Sequence, residues 1–372
     1  MDIAAVDTGR PEQVREFLNV PFALYRDTPQ WVPPILMEAR RALDRKRNPY
    51  YRHSEAAFFV ARRKGEAIGR LAALENRNYN AFNRERTAFF WLFECARDSE
   101  AAGGLFEAAF SWARARGLDR VVGPKGFTAL DGLGLLVRGF EHRPAFGIPY
   151  NLRYYEELLL GLGFEPTGDI VSGYLEADAP FPERIHALAQ RVLRRRGLRI
   201  ARYQTRKDLL ALVPRLGRLY NDTLGGTTGN VPLTQDEIAG VADQMVRFAD
   251  PRLIKVVMRG DDPVGFLFAY PDVSAALQRS RGRLFPFGWM DLLLEMRRSR
   301  WINVNGAGIV ESERGLGGTA ILFSEMHKSV REGRFRYADL VQVGAENLPM
   351  QRELRNFGVE FYKMHRMYRR EI

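Results

Sequence analysis

The feature that most constrains this chain is an order of elements that occurs twice. Residues 56–74, AAFFVARRKGEAIGRLAAL, read as two strands around a Lys-Gly-Glu turn, and RTAFFWLFECA (86–96) follows as an apolar aromatic strand. An amphipathic helix comes next, GLFEAAFSWARARG (104–117), then the short strand DRVVGP, the helix YYEELLLGLGF and the strand DIVSGYLEA. The later half repeats this order: the hairpin LIKVVMRGDDPVGFLFAY (253–270), the strand RWINVNGAGIV (300–310) and the helix TAILFSEMHKSVREG (319–333). Strand RYADLVQVGAEN, helix PMQRELRNFG and strand VEFYKMHRMYRRE complete it. Hairpins interleaved with helices predict an α/β (α+β) fold, each half a mixed, mostly antiparallel sheet flanked by helices. The proline-bearing stretch ADAPFPE (177–183) lies between the halves. We therefore expect domains at 1–178 and 185–372, joined by a linker at 179–184.

Bulk properties narrow the function. The net charge of +11 over 372 residues favours anionic partners: nucleic acid, an anionic membrane surface or a phosphorylated small molecule. The single cysteine, Cys95, excludes an intrachain disulfide, and the five histidines show no HExxH spacing, so no metal is expected. No run of about 18 apolar residues suggests a spanning helix, and the first residues lack a signal-peptide pattern. The expected location is the cytoplasm, with room for peripheral membrane contact. The arginine-rich run RRVLRRRGLR is most simply a solvated helix face, and no nucleic-acid motif accompanies it.

Between the apolar strand ending at Val310 and the helix from Thr319 stands ERGLGG (313–318). Glycines let a backbone approach a ligand, and the first N–H groups of a helix attract anions. The loop is neither a Walker loop nor the dinucleotide fingerprint, so its residues alone fit a phosphate cradle and a plain turn equally.

Arg314, Gly317 and Thr319 stand at the marked positions of the Arg/Gln-x-x-Gly-x-Gly/Ala pattern, and Asn347 matches an asparagine near the start of the last helix. On these residues the second half resembles the GCN5-related N-acetyltransferase (GNAT) family. The resemblance implies acyl-CoA or acetyl-CoA as co-substrate, held by Ile309, Val310, Arg314, Gly315, Leu316, Gly317, Gly318, Thr319 and Asn347. Leu354 replaces the tyrosine that often serves as general acid in the family. The first half looks like a degenerate copy, its loop DSEAAGGLF (98–106) carrying Glu100 at the arginine position and its helix carrying Leu159 at the tyrosine position. QWVPP (30–34), RNPYY (47–51), Gly69-Arg70 with Asn76 and Asn78, FECARD (93–98), GLLVRGFE (134–141), PYNLRYYEELLLGLGF (149–164) and GNVPLT (229–234) further make the whole chain similar to the tandem YghO-like, bacterial ceramide synthase-like family. That implies N-acylation of a small-molecule or lipid amine, a sphingoid base among the acceptors. A non-catalytic acyl-CoA or lipid sensor and a peptidoglycan-type aminoacyl transferase are the alternatives; the second normally carries a coiled-coil arm, and no sustained heptads are found.

Direct acyl transfer needs a base for the amine, a donor for the thioester oxygen and fixed substrates. The glycines of NVNGAGIV (303–310) suit a bulged, splayed strand whose N–H near Ile309 or Val310 would be that donor; close packing is the other reading. The candidate catalytic residues are Glu94, a lone carboxylate among aromatics, Asp131 in the long loop GFTALDGLGLL, and Tyr155. Tyr150, Asn151, Tyr154 and Asn230 are candidates for substrate binding. Finally, RSRGRLFPFGWMDLLLEMRRSRW (279–301) sets an aromatic-aliphatic core between arginines, which suits a helix packed on the other half, an anionic membrane surface or the mouth of a lipid pocket.

Overall fold

A computed structural model describes residues 1–128, 131–179, 181–201, 203, 205–224 and 231–372; Asn230 lies outside them. The strands are β1 Asp2–Ala5, β2 Glu55–Arg63, β3 Glu66–Glu75, β4 Thr87–Cys95, β5 Arg120–Gly123, β6 Leu135–Arg138, β7 Glu165–Glu176, β8 Leu198–Ile200, β9 Ile254–Arg259, β10 Asp262–Pro271, β11 Trp301–Ile309, β12 Tyr337–Gly344 and β13 Glu360–Glu371. They form one continuous sheet in the order β1-β2-β3-β4-β5-β13-β7-β12-β11-β10-β9-β8, with β6 pairing β13. Helices cover both faces, and separate apolar clusters fill the layers of each half.

The two halves do not keep their sheets to themselves. β13, the last strand of the second half, pairs with β5 of the first, and β7, the last strand of the first half, pairs with β12 of the second. β7 and β13 also pair with each other from Glu165↔Arg369 to Tyr174↔Glu360. The exchange reaches the cores: Tyr368 of β13 is fully buried in the first half's aromatic cluster with Phe90, Phe106 and Phe164.

Each half contains one parallel pair that comes apart. β4 runs parallel to β5 only over Thr87–Phe89, and β11 parallel to β12 only over Trp301–Val304. Bulges mark the departure. The β3–β4 register shifts between Arg70 and Ala72, opposite Leu92 at φ 53°, and the β10–β11 register shifts between Leu267 and Ala269, beside Gly306 at φ 99°. The extra residue bends the strand away from its parallel partner and opens a cleft. NVNGAGIV is thus the splayed strand its glycines suggested. Close packing holds as well at Gly308, where a Cβ would stand 2.5 Å from Thr223 Oγ1.

One element differs from its sequence reading. DSEAAGGLF is not a loop: the helix runs Ser99–Arg114, so Gly103 and Gly104 lie inside it. Close packing explains Gly104, where a Cβ would meet Ile3 Cγ1 at 2.8 Å.

Candidate active site between the two halves

The glycine loop enters the helix Gly318–Glu332 through residues only glycine tolerates well. Gly315 has φ 69° and Gly317, the N-cap, has φ 90°; a Cβ on Gly317 would lie 2.7 Å from Val192 Cγ2. Among the described residues no side chain caps this N-terminus, so its first N–H groups are available to an anion. The equivalent helix of the first half is closed by its own chemistry: Asp98 is the N-cap, accepts the Ala101 N–H at 3.0 Å and pairs with Arg63 at 2.8 Å. A carboxylate already sits where an anion would bind there. Glu100, the residue singled out from sequence, is exposed and pairs with the same arginine at 2.7 Å.

Arg314 does not project as a free cation. Its Nε donates to Ile309 O at 3.2 Å and its Nη2 to Thr223 O at 3.0 Å, bracing the loop against the strand end and the helix Arg206–Leu224. Beneath it Glu313 is buried and pairs with Arg196 and Arg259, so part of the arginine-rich run anchors the loop rather than facing solvent. The Val310 N–H donates to Val264 O of β10 at 3.0 Å. Backbone groups alternate sides along a strand, so the Ile309 N–H points to the open side while Val310 is spent on the ladder. Asn347 caps the helix Leu348–Asn356, accepting the Met350 N–H at 3.2 Å.

In the first half the splayed strand carries Glu94, which is buried. Its Oε2 accepts from Tyr25 Oη at 2.6 Å and Tyr155 Oη at 2.8 Å, and its Oε1 faces Arg70 Nη2 at 3.6 Å. Burial raises the carboxyl above its usual range, and Arg70 and then the two tyrosines only partly counter this. Tyr155 is fully buried, accepts the Cys95 N–H at 3.1 Å and is itself pushed well above a phenol's ordinary value by burial. Asp131 accepts the Thr128 N–H at 2.7 Å, and burial raises it too. Its loop is fastened to the second half by Gln342, at φ 56°, whose amide accepts from Leu133 N at 2.8 Å and donates to Leu133 O at 2.6 Å.

These features share one cavity of ≈ 1330 Å³, lined mostly by apolar side chains from both halves. Ligand pockets usually hold about 300–1,000 Å³. Glu94, Asp131, Tyr150 and Asn151 line its first-half wall; Ile309, Arg314, Gly315, Thr319 and Asn347 line the second.

No family model matches the chain. It is 25% identical over 370 residues to protein YghO of Escherichia coli, spanning 96% of this chain and 93% of that one. It is 26% identical over 391 residues to the bacterial ceramide synthase of Caulobacter vibrioides, spanning 100% and 98%. Among solved structures it is similar to a tandem GNAT protein from the clavulanic acid biosynthesis pathway, with TM-score 0.58 at 13% identity over 100% of this chain and 98% of that one. A GCN5-related N-acetyltransferase from Sphaerobacter thermophilus follows with TM-score 0.52 at 15% identity, covering 100% and 95%.

The chain has the tandem GNAT fold. Within it, several expected site residues stand elsewhere than sequence placed them. Tyr155 lies behind Glu94, outside the cavity wall, and donates to its carboxylate at 2.8 Å. Tyr154 is likewise outside the wall and donates to Cys95 O at 2.7 Å. Asn151 reaches the wall, but its amide is committed to Leu136 N and O at 2.6 and 3.1 Å, a brace on β6. Tyr150 donates to Phe140 O at 2.8 Å. Leu316, Gly317, Gly318 and Val310 shape the loop from outside the wall. Sequence reasoning missed Tyr25, which closes the helix Pro11–Leu24, and Glu353, a raised carboxyl on the cavity wall that bonds to Thr319. It listed Arg70 only as part of a resemblance. The tandem GNAT fold puts each beside its partner from a distant stretch of chain.

Proposed function

We propose that this chain is an acyl-CoA-dependent N-acyltransferase that works by direct transfer to an amine held between the two halves. The observation that carries the reading is one cavity with Gly315 and Thr319, at the uncapped start of the glycine-loop helix, on one wall and the buried Glu94 on the other. The loop fits a pyrophosphate: the space beside Gly315 is clear, and among the described residues no carboxylate caps its N–H groups, Glu353 bonding instead to the Thr319 side chain. Gly315, Thr319 and Asn347 would hold the CoA, with Arg314 fixing the loop's shape, and the CoA thioester supplies an activated acyl group. The Ile309 N–H on the open side is the donor available to an oxygen that gains charge. Glu94 Oε2 is occupied by two hydroxyls, so Oε1, which faces Arg70 at 3.6 Å, is the oxygen left to take a proton from the amine. A raised carboxyl is a stronger base than an exposed one, and Tyr25 and Tyr155 keep it oriented.

The apolar walls and the volume favour a lipid amine over a small polar one, and the similarity to a protein named for ceramide synthesis points the same way. A non-catalytic acyl-CoA or lipid sensor is the second reading, favoured by Leu159 and Leu354, both buried where a tyrosine acid would stand. Sustained release of free thiol from palmitoyl-CoA with an amine panel separates the two. Donor binding is tested by calorimetric titration of acetyl-, octanoyl- and palmitoyl-CoA. We expect wild type to bind at least one and Arg314→Glu to weaken it by about tenfold or more. No binding of any CoA by wild type overturns the donor assignment.

A further inference from the structure

The helices Ser274–Ser280 and Gly288–Arg298 form a hairpin that leaves a group of apolar side chains exposed. Phe285 and Phe287 at its tip are each 73% exposed, and Trp289, Met290, Leu293 and Leu294 are exposed beside them. Single exposed apolar residues need no explanation, but a contiguous group does. The hairpin is anchored from below by Ile35, Val273, Ala276, Leu277 and Leu292, which form a small cluster of their own. Its tip is therefore a held surface, not a loose loop.

The second helix is apolar on two sides. Trp289, Leu293 and Met296, spaced i, i+4, i+7, line the cavity, while Met290 and Leu294, spaced i, i+4, are exposed. A helix that only covers a core has a polar outer face. Trp289 and Leu293 are both exposed and cavity-lining, so they stand at its mouth.

Charge decides what would cover this surface. Both hairpin carboxylates, Asp291 and Glu295, are taken by Arg279 at 2.8 and 2.5 Å. Arg281, Arg283, Arg297, Arg298 and Arg300 are exposed and belong to no ion pair among the described residues. A second copy of the chain would bring the same cations against them, and like charges repel. Anionic headgroups complement them, and an aromatic tip between arginines matches the depth profile of a bilayer boundary. No helix among the described residues is long and apolar enough to cross a membrane, so the contact is peripheral.

We propose that this hairpin docks on an anionic phospholipid bilayer, with Phe285 and Phe287 in the acyl boundary, the arginines at the phosphates, and Trp289 and Leu293 forming a gate between bilayer and cavity. The docking stands apart from the acyl-transfer reading; only the gate depends on the cavity being the lipid site.

Co-sedimentation with phosphatidylcholine vesicles, with and without phosphatidylglycerol, tests it. Wild type is expected to bind the phosphatidylglycerol vesicles and to be released by salt. Phe285→Ser/Phe287→Ser and Arg297→Glu/Arg298→Glu should each lose about tenfold in binding. The control Arg194→Glu/Arg195→Glu, with the same charge change on a distant helix, should stay within about threefold. Met290→Ser/Leu294→Ser, changed only on the outward side, serves if the phenylalanine variant melts early. Absence of vesicle binding by wild type, unchanged binding by the tip variants, or an equal loss in the control overturns the proposal. So does a self-associating wild type that the tip variants render monomeric without any vesicle binding. Palmitoyl-CoA titration of the same variants keeps the outcomes separate: docking can fail while CoA still binds, and the reverse.

Discussion

Glu94 shows how much one side chain depends on residues far from it. Its strand position among aromatics is visible in FFWLFECA, and a carboxylate there invites suspicion. What holds it is not visible, because Tyr25 is 69 residues earlier and Tyr155 is 61 later. We expect Glu94→Gln to lower kcat by about 10²–10⁴ while CoA binding, measured by calorimetry, stays within about twofold. The pH dependence has a definite sign. Burial raises the Glu94 carboxyl and the tyrosine hydrogen bonds lower it. Tyr25→Phe or Tyr155→Phe removes a lowering contact, so the acidic limb of kcat/KM should move to higher pH. A limb that stays put, or moves down, means Glu94 is not the group being titrated.

At the scale of elements, the two glycine-rich helix starts look alike in sequence and differ in chemistry. Asp98 closes one; Gly317 leaves the other open. Asp98→Ala should cost about 1 kcal/mol in urea unfolding and leave CoA titration unchanged. Gly317→Ala should cost about 1–2 kcal/mol, since its φ of 90° is poor for any residue with a Cβ, and should weaken CoA binding as well. ERGLGG was legible as a loop before a helix because glycines at positive φ are punctuation. DSEAAGGLF was misread as its counterpart because a glycine that serves close helix packing, as Gly104 does, looks the same in a list of letters. The capping box at Thr234 and Glu237 is complete within four residues, and both of its hydrogen bonds form.

The exchange of last strands governs the whole molecule. A fragment ending at residue 178 would lack β13, leaving β5 and β7 with unpaired edges and Tyr368 missing from its core. Expressed alone, residues 1–178 should give no cooperative melt by circular dichroism, and co-expression with 179–372 should restore one. Acid should act on the same junction. His365 of β13 is fully buried, its Nε2 meets Pro149 O at 3.0 Å, and burial lowers it to about 4 from 6.5. The unfolded chain takes this proton at higher pH than the folded one, so stability is intact above 6.5 and falls as the pH drops toward 4. The loss reaches about 3 kcal/mol. Urea midpoints across that window should fall less steeply for His365→Gln than for wild type.

The sequence by itself determined the repeated element order, the splayed strand and the glycine loop, because hydrophobic period, bulge glycines and turn residues are local signals. Only the tertiary structure decided that the halves share one sheet, since strand partners are chosen by edges that no local pattern names. It alone decided that Glu94 is buried against Tyr25 and Arg70, that Asp98 seals the first helix, and that both walls face one cavity. Each of those facts is a distance between residues far apart in the chain, settled when β7 and β13 cross over.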